Sequence, residues 1–310
     1  MKYCFGIDIG GTTVKIGLFD ETGNLHEKWE IPTRVDTAED KIFPDIANAV
    51  NSKISEKNID KSDIIGLGIG VPAPVCDDGF VRQSANLGIK NVNVAERMNE
   101  LTGFKIKVGN DANVAALGEM WKGSGKGTKN LVMVTLGTGV GGGIVIDGNI
   151  FAGTNGATGE IGHMCVNPTE TDTCGCGKHG CLEQYSSATG IVRLAKHELQ
   201  NNDTETVLNI DTVTAKDVFD AAKNGDVAAV KTAEKFGMYL GLALANTAVL
   251  ADPEIFVLGG GVSNAGEILI EYIKKYYDKY SFFANKNVKF SISKLGNDAG
   301  IYGSAKLILG

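Results

Sequence analysis

The chain has 310 residues, of which 43% are apolar and 22% charged, and its formal net charge at pH 7 is −7. This length exceeds what one hydrophobic core usually organises and allows two domains of roughly 150 residues each. The composition is that of a soluble globular protein, and the acidic balance without a basic run excludes a surface built to neutralise nucleic-acid phosphates.

The sequence shows neither a signal peptide nor a membrane span. Its first apolar stretch is interrupted by Asp8, so it lacks the h-region of a signal peptide. The longest apolar stretch, residues 240–251, is too short for a bilayer and contains Asn246 and Thr247. We therefore expect a cytoplasmic protein, in which clustered cysteines indicate metal binding rather than disulfides.

The chain opens with strand patterns and then alternates strand with helix. Residues 3–8, 14–19 and 25–31 predict antiparallel strands, the first two joined by a glycine turn. Apolar residues recur every four positions across 42–50 and predict a helix, and the apolar run 64–71 predicts a buried strand. This order indicates an α/β sheet.

The first glycine turn carries the run DIGGTT, residues 8–13. Its glycines and threonines allow backbone N–H groups to converge on phosphate oxygens, and Asp8 could hold Mg²⁺ through a water molecule. The alternative is a tight hairpin with solvated threonines. One copy of so short a motif does not decide between the two.

Asn110 and Asp111 lie between an apolar strand pattern at 106–108 and a helical run. Ligands of α/β folds bind at such carboxyl ends of strands, and the two side chains could grip adjacent hydroxyls of a sugar while the carboxylate orients the attacking one. The alternative is a helix N-cap, because Asp or Asn before a helix satisfies its first N–H groups. Taken alone, the segment favours the cap.

Residues 131–150 repeat the organisation of the chain's start as strand, Gly/Thr turn, strand and glycine-containing turn. We interpret the repeat as an internal duplication, which predicts two related sheets facing a cleft, each offering one glycine turn to a nucleotide. Neither a GxxxxGK[ST] loop nor a strand–GxGxxG–helix unit is convincingly present, so the glycine turns belong to neither a P-loop nor a Rossmann dinucleotide site.

Three cysteines, Cys174, Cys176 and Cys181, lie within eight residues, and His163 precedes them by eleven. Together they can supply the closed Cys₃His tetrahedron of a structural zinc site. The alternative is a set of scattered buried thiols, which the glycine-rich spacing disfavours.

The fourth zinc ligand stays open at this point, because His179 lies inside the cysteine cluster and Cys165 lies near it. A closed zinc site would be structural. It would fasten the loop that carries Glu160 and Glu183 toward the substrate.

The remaining patterns complete a two-lobed prediction. Residues 227–251 predict a long helix, and residues 254–258 predict a strand that three glycines follow. We predict an N-terminal α/β lobe of residues 1–115, joined by a C-terminal helix over 299–310, and a C-terminal α/β lobe of residues 116–298 with a zinc-binding insertion.

Five motifs in order make the chain resemble the ROK family of sugar kinases and repressors, and most closely its bacterial glucokinases. The motifs are DIGGTTVKIG, LGTGVGGGI, GNDANVAALGE, GEIGH with CGCGKHGCLEQ, and LGGGVS. The resemblance spans nearly the whole chain and implies the two-lobed, ribonuclease H-like fold of actin-like ATPases, with duplicated mixed sheets. One departure is the run VPAPV, where Ala73 replaces the glycine of many relatives.

The resemblance also implies the role of individual residues. Asp111 would be the catalytic base, and it would accept the proton late, because an Asp of pKa ~3.9 is too weak to deprotonate a sugar alcohol beforehand. The implied sugar ligands are Asn86, Asn110, Asp111, Glu160, His163 and Glu183. The residues implied in binding ATP and Mg²⁺ are Asp8, Gly10, Gly11, Thr12, Thr13, Lys15, Thr138, Gly139, Gly260 and Gly261. The implied ligands of the structural Zn²⁺ are His163, Cys174, Cys176 and Cys181, so that His163 would serve both sites.

The resemblance thus predicts ATP-dependent phosphorylation of a hexose, with glucose converted to glucose 6-phosphate. N-acetylmannosamine, fructose or another hexose could replace glucose, and polyphosphate could replace ATP, because one or two hydroxyl contacts decide sugar specificity. A sugar-responsive regulator without kinase activity is the alternative from another class. We expect a homodimer or higher homo-oligomer, and neither nucleic acid nor membrane as a partner.

Overall fold

A computed structural model describes residues 1–34, 38–76, 78–84, 87–201 and 205–310. Within these ranges, none of the helices combines the length and apolarity that crossing a bilayer requires. The strands are β1 (Tyr3–Ile9), β2 (Thr13–Asp20), β3 (Leu25–Pro32), β4 (Ile64–Val71), β5 (Phe80–Ser84), β6 (Ile89–Asn93), β7 (Ile106–Asn110), β8 (Leu131–Leu136), β9 (Val140–Ile146), β10 (Asn149–Ile150), β11 (Ile255–Gly259) and β12 (Lys289–Ile292). The helices are α1 (Ala38–Glu56), α2 (Val94–Thr102), α3 (Asp111–Lys122), α4 (Glu183–Ser186), α5 (Ala188–Asn201), α6 (Ala215–Lys223), α7 (Val227–Ala251), α8 (Glu267–Tyr280) and α9 (Ala299–Leu309).

The chain forms two compact units. The first unit comprises residues 1–129, 143–159 and 294–310, and the second unit comprises residues 130–142 and 160–293. The boundary predicted after residue 115 would cut helix α3, which lies wholly in the first unit together with α9. Both units are built from more than one stretch of the chain, since residues 143–159 and 294–310 return to the first unit.

Two five-stranded sheets repeat one strand order. In the order β3-β2-β1-β4-β7, the first three strands are antiparallel, and β4 and β7 extend the sheet in parallel. In the order β10-β9-β8-β11-β12, β9 and β10 are antiparallel, and β8, β11 and β12 are parallel. The mixed sheets and the internal duplication predicted from the sequence are thus confirmed. Strands β5 and β6 form a separate antiparallel pair.

Burial follows the position of each strand in the first sheet. The edge strand β3 alternates half-buried and exposed residues, as expected when one face meets solvent. The apolar strand β4, between two neighbours, is buried almost throughout. The core around this sheet is built mainly from aliphatic side chains of β1, β2, β4 and α1.

The parallel strands gather the candidate site residues at one edge of each sheet. In the first sheet, β1 ends at the first glycine turn and β7 ends at Asn110, directly before Asp111. In the second sheet, β8 ends at the second glycine turn and β11 ends at Gly259. Because carboxyl ends of parallel strands meet at the same edge, this topology brings sequence-distant motifs together within each unit.

Glycines fix helix α3 against helix α9. A Cβ on Gly303 would lie 1.5 Å from the Val114 carbonyl oxygen, and a Cβ on Gly118 would lie 2.3 Å from that of Ala299. Only glycine allows the two helix backbones so close. The fully buried Glu119 then accepts hydrogen bonds from backbone N–H groups that include Leu295, which ties the end of α3 to the segment before α9.

Candidate active site

The first glycine turn is a tight connection closed by backbone hydrogen bonds. The N–H of Gly10 donates to the Thr13 carbonyl (3.0 Å), and the Thr33 hydroxyl donates to the Gly10 carbonyl (2.7 Å). A Cβ on Gly10 would lie 2.8 Å from the Thr13 carbonyl oxygen, so position 10 requires glycine. Gly11 and Thr12 are exposed, and space around Gly11 is open, so their N–H groups are accessible to an anion.

Asp8, at the end of β1, is held close to helix α9. A Cβ on Gly300 would lie 2.5 Å from the Asp8 carboxylate, so the absence of a side chain at Gly300 makes room for this group. Burial, and after it the negative charge of Asp111, raises the pKa of Asp8 from 3.8 to about 6, while Lys15 lowers it. A carboxylate placed against a second one in this way favours a bound cation, and the donor set of hard oxygens suits Mg²⁺.

Asn110, rather than Asp111, caps helix α3. The Asn110 side chain accepts a hydrogen bond from the Asn113 N–H (3.1 Å), while its amide donates to the Ala73 carbonyl (3.2 Å). Asp111 is the first helical residue, and its Oδ1 accepts from the adjacent Ala112 N–H (2.8 Å). The predicted helix cap therefore exists and Asn110 forms it, while Asp111 accepts from one N–H of the first turn.

Asn113 is a positioning residue that the sequence analysis missed. It is 1% exposed, and its Oδ1 accepts from the Ile144 N–H (3.2 Å) of strand β9. Gly143 allows this approach, since a Cβ there would lie 2.2 Å from the Ala112 carbonyl oxygen. The first turn of α3, with Asp111, is thus fixed against β9. An Asn in the first turn after a capping residue was the available sequence signal.

In the second unit, the second glycine turn packs against Glu183. The Val140 N–H donates to Glu183 Oε2 (3.0 Å), and a Cβ on Gly139 would lie 2.3 Å from the same oxygen. A side chain at position 139 would therefore have to displace the Glu183 carboxylate from the turn. The Ala188 N–H donates to the Gly137 carbonyl (2.8 Å), which fastens the start of α5 to the turn.

A Cys₃His cluster lies beside Glu183. The ligand atoms of His163, Cys174, Cys176 and Cys181 all lie within 4.8 Å of one another. Two of these separations are 3.9 Å, from His163 Nδ1 to Cys174 Sγ, and 3.6 Å, from Cys176 Sγ to Cys181 Sγ. Ligands about 2.0–2.3 Å from a tetrahedral Zn²⁺ are separated by similar distances, so the four residues fit this ion.

The burial of Cys181 within the cluster also favours a bound cation. It raises the pKa of the Cys181 thiol to about 12, so a thiolate there needs a neighbouring positive charge. His179 Nδ1 donates to the Asp172 carbonyl instead (3.1 Å), and Cys165 is an exposed free cysteine. Among the described residues, His163 therefore lies with the three cysteines in the group that could hold a metal ion, and His179 and Cys165 do not. Nδ1 of His163 faces the cysteines, which leaves Nε2 for another partner.

An ion-pair and hydrogen-bond network holds the segments on either side of the three cysteines. Arg193 of α5 donates to Glu170 Oε2 (2.8 Å), to Asp172 Oδ2 (3.0 Å) and to the Gln184 carbonyl (3.2 Å). Hydrogen bonds from Arg193 and Tyr185 lower the pKa of Glu170 to about 2 despite its burial. These contacts fix the residues that follow and precede the cysteines. The predicted sugar ligand Glu160 is exposed, directly before the 3₁₀ turn that contains His163.

The second unit contains a cavity of about 460 Å³ next to the second glycine turn. Its apolar wall includes Ala215, Phe219, Val262 and Ala265, and Thr138 of the turn also lines it. The complete lining is Gly137, Thr138, Ala188, Thr214, Ala215, Lys216, Phe219, Asp220, Gly261, Val262, Asn264 and Ala265. A mainly apolar cleft with a few polar groups is suited to a planar base.

The cavity adds further candidates to the nucleotide-binding residues predicted from the sequence. Thr138 and Gly261, two of the predicted nucleotide-binding residues, line the cavity. A Cβ on Gly260, a third, would lie 2.5 Å from the Leu136 carbonyl oxygen. The residues contributed by helix α6 were missed, because no motif marks them. Lys15, predicted to contact phosphate, donates to the Asn297 carbonyl (3.0 Å). The predicted sugar ligand Asn86 lies outside the described residues.

Comparisons with known proteins agree over the full length of the chain. The model of the ROK family matches residues 4–310. A glucokinase of Halalkalibacterium halodurans is 43% identical over 99% of this chain and 95% of its own length. The crystal structure of a ROK family glucokinase from Streptomyces griseus in complex with glucose and AMPPNP is 32% identical, has a TM-score of 0.76 and covers 98% of both chains. A xylose repressor of Caldicellulosiruptor bescii is 28% identical over 98% of this chain and 77% of its own length.

Proposed function

The chain belongs to the ROK family, and from this we propose that it transfers the γ-phosphoryl group of ATP to the 6-hydroxyl of glucose. The single observation that carries the proposal is the similarity of the whole chain to glucokinases, one of which binds glucose and AMPPNP in its crystal structure. Contacts within each unit support the individual assignments that follow.

Asp111 is our candidate for the base. In phosphoryl transfer the transition state is loose, so a modest base that orients the hydroxyl is sufficient. As the sugar oxygen bonds to the γ-phosphorus, the bond from phosphorus to the ADP oxygen breaks, and the hydroxyl proton passes to the Asp111 carboxylate. The cap formed by Asn110 and the contact between Asn113 and β9 hold this carboxylate at the end of β7.

The phosphates are assigned to the two glycine turns. In the first turn, the accessible N–H groups of Gly11 and Thr12 are the candidate donors, and Thr138 is the candidate in the second. Asp8 is the candidate to hold Mg²⁺, which when bound neutralises charge on the transferring phosphate. The raised pKa of Asp8 supports this assignment, because a nearby cation would relieve its unfavourable ionisation.

The 460 Å³ cavity supports ATP, rather than polyphosphate, as the donor. Its apolar wall suits an adenine ring, and polyphosphate has no group that would need it. Thr138 joins the cavity to the second glycine turn, so a base in the cavity would place its phosphates at that turn.

We assign Zn²⁺ to the Cys₃His cluster in a structural role. When bound, the ion fixes the loop that carries His163 and keeps Nδ1 of this residue engaged. Nε2 of His163, together with Glu160, Asn110 and Glu183, would then bind sugar hydroxyls. Glu183 has a second function in this account, because one of its oxygens already orders the second glycine turn.

Another hexose acceptor and a regulatory role are the two remaining candidates. The similarity to a xylose repressor favours the regulatory role, because 98% of this chain matches 77% of that longer protein. The test is a coupled ADP-release assay of the purified protein with glucose, fructose, mannose and N-acetylmannosamine, each with ATP and with polyphosphate. Turnover highest with glucose and ATP is the expected result. Sugar binding without turnover would replace the kinase with a regulator.

A further inference from the structure

Cys165 is an exposed thiol to which the proposed function gives no role. All six cysteines of the chain lie in the described ranges, and all of them are free thiols. Three belong to the Cys₃His cluster, Cys4 is buried and Cys76 is half-buried. Cys165 is therefore the exposed cysteine outside the metal-binding group, and an oxidant in solution reaches its sulfur without displacing a zinc ligand.

Cys165 lies directly opposite the zinc ligand Cys181 in a short antiparallel bridge. On either side of this pair, a backbone N–H of one segment donates to a backbone carbonyl of the other at 2.8 Å, from Val166 to Gly180 and from Leu182 to Met164. Cys165 and Cys181 therefore occupy a non-hydrogen-bonded position. At such a position, the two facing side chains share one side of the bridge and approach most closely.

This position has the backbone geometry that a disulfide requires. Facing residues of a non-hydrogen-bonded pair have Cα atoms about 4.5 Å apart, and disulfide-bonded cysteines have Cα atoms roughly 4.4–6.8 Å apart. The Cys165 sulfur also lies beside the opposite segment, because a Cβ on Gly180, the residue before Cys181, would lie 3.4 Å from Cys165 Sγ. Rotation of the two side chains about their Cα–Cβ bonds is therefore sufficient to join the sulfurs.

We propose that Cys165 is a redox modification site, at which a hydroperoxide oxidises the thiol and links it to Cys181. The Cys165 thiolate takes the terminal oxygen of the hydroperoxide, which breaks the O–O bond and releases an alcohol, or water from hydrogen peroxide. The Cys181 thiolate then attacks the sulfur of the sulfenic acid, so the S–S bond forms, the S–O bond breaks and the oxygen leaves as water. Solvent supplies the protons, and the hydroperoxide accepts the two electrons that the sulfurs lose.

The new disulfide removes one of the four zinc ligands. His163, Cys174 and Cys176 remain, whereas a structural Zn²⁺ is held by four ligands, so the oxidised site releases the ion. The base of the loop stays joined, because the disulfide connects the same two residues as the backbone bridge. This inference rests on the proposed assignment of Zn²⁺ to the Cys₃His cluster and does not depend on the kinase activity.

The test is oxidation of the purified, zinc-loaded full chain with hydrogen peroxide. A chromogenic chelator follows zinc release, and mass spectrometry after alkylation of the free thiols identifies disulfide-linked peptides. The wild type is compared with Cys165→Ser and with Cys76→Ser, the matched control, because Cys76 is a free cysteine outside the cluster. All three proteins should contain equal zinc before oxidation, since neither substitution removes a ligand.

The expected result is a link between Cys165 and Cys181 together with zinc release, in the wild type and in the control, both reversed by a thiol reductant with added zinc. Release from Cys165→Ser should be at least about tenfold slower. Equal release rates in the wild type and Cys165→Ser, or a link from Cys176 to Cys181 instead, would overturn the proposal. A wild type that binds no zinc at the start would overturn the zinc assignment together with this proposal.

Discussion

Replacing Asp111 with Asn separates the catalytic from the structural role of this carboxylate. The substitution keeps the shape of the side chain, and the new amide oxygen can still accept from the Ala112 N–H, which lies 2.8 Å from Oδ1. The cap of α3 belongs to Asn110 and is not touched. We therefore expect a change in Tm no larger than that of an ordinary surface substitution, about 0.5 kcal/mol in free energy of unfolding.

The kcat of the Asp111→Asn variant should fall strongly, in contrast to its small change in stability. Loss of a positioned base lowers kcat by roughly 10² to 10⁴, which corresponds to about 3–5 kcal/mol of barrier. Glucose affinity should be nearly retained, because an amide can still bind a hydroxyl. The assays are kcat and KM from coupled ADP release, and the Kd for glucose from calorimetry with the catalytically impaired variant.

Asn110→Ala is the matched control at the adjacent position. It removes the cap and the 3.2 Å contact with the Ala73 carbonyl, so we expect a loss of about 1 kcal/mol in stability and a raised KM for glucose, with a smaller effect on kcat. Near-normal turnover of Asp111→Asn, or a loss of stability as large as that of Asn110→Ala, would refute the separation of the two roles.

Three further outcomes follow from the same structure. Because the pKa of Asp8 is raised to about 6, ionisation of Asp8 lowers the stability of the folded protein as pH rises from about 4 to 6. Asp8→Asn should therefore raise the stability of the Mg²⁺-free protein at pH 7 by about 1–3 kcal/mol while reducing kcat. Equal Tm values of the wild type and this variant across the pH range would contradict the prediction. Cys176→Ser should lower bound zinc, measured by mass spectrometry, and raise KM for glucose more than KM for ATP; unchanged glucose affinity in zinc-free protein would remove the link between loop and sugar. Ala215→Phe should fill part of the 460 Å³ cavity and raise KM for ATP at least about tenfold with little effect on glucose, and an unaltered KM for ATP would place the base elsewhere.

The sequence predicted the parts of the molecule whose residues are adjacent along the chain. The strands around the first glycine turn, the duplicated sheet order and the long helix Val227–Ala251 all follow from local periodicity and glycine punctuation. The Cys₃His group was also predictable, because three of its four ligands lie within eight residues.

Contacts between distant segments were not predictable in the same way. Nothing in the local pattern shows that Glu183 packs against Gly139, or that helix α6 lines the cavity with Phe219 and Lys216. Such residues are brought together by the parallel crossovers of the sheet, and the sequence carries no spacing rule for them. The cap at α3 was predicted by chemistry but not by position, since Asn110 and Asp111 are both good capping residues.

The most direct test of the catalytic assignment is a crystal structure of this protein with glucose and a non-hydrolysable ATP analogue. We expect a carboxylate oxygen of Asp111 about 2.6–3.2 Å from the 6-hydroxyl of glucose, with that hydroxyl facing the γ-phosphorus. A structure in which the carboxylate of Asp111 contacts only the backbone of α3, while another group reaches the 6-hydroxyl, would contradict it.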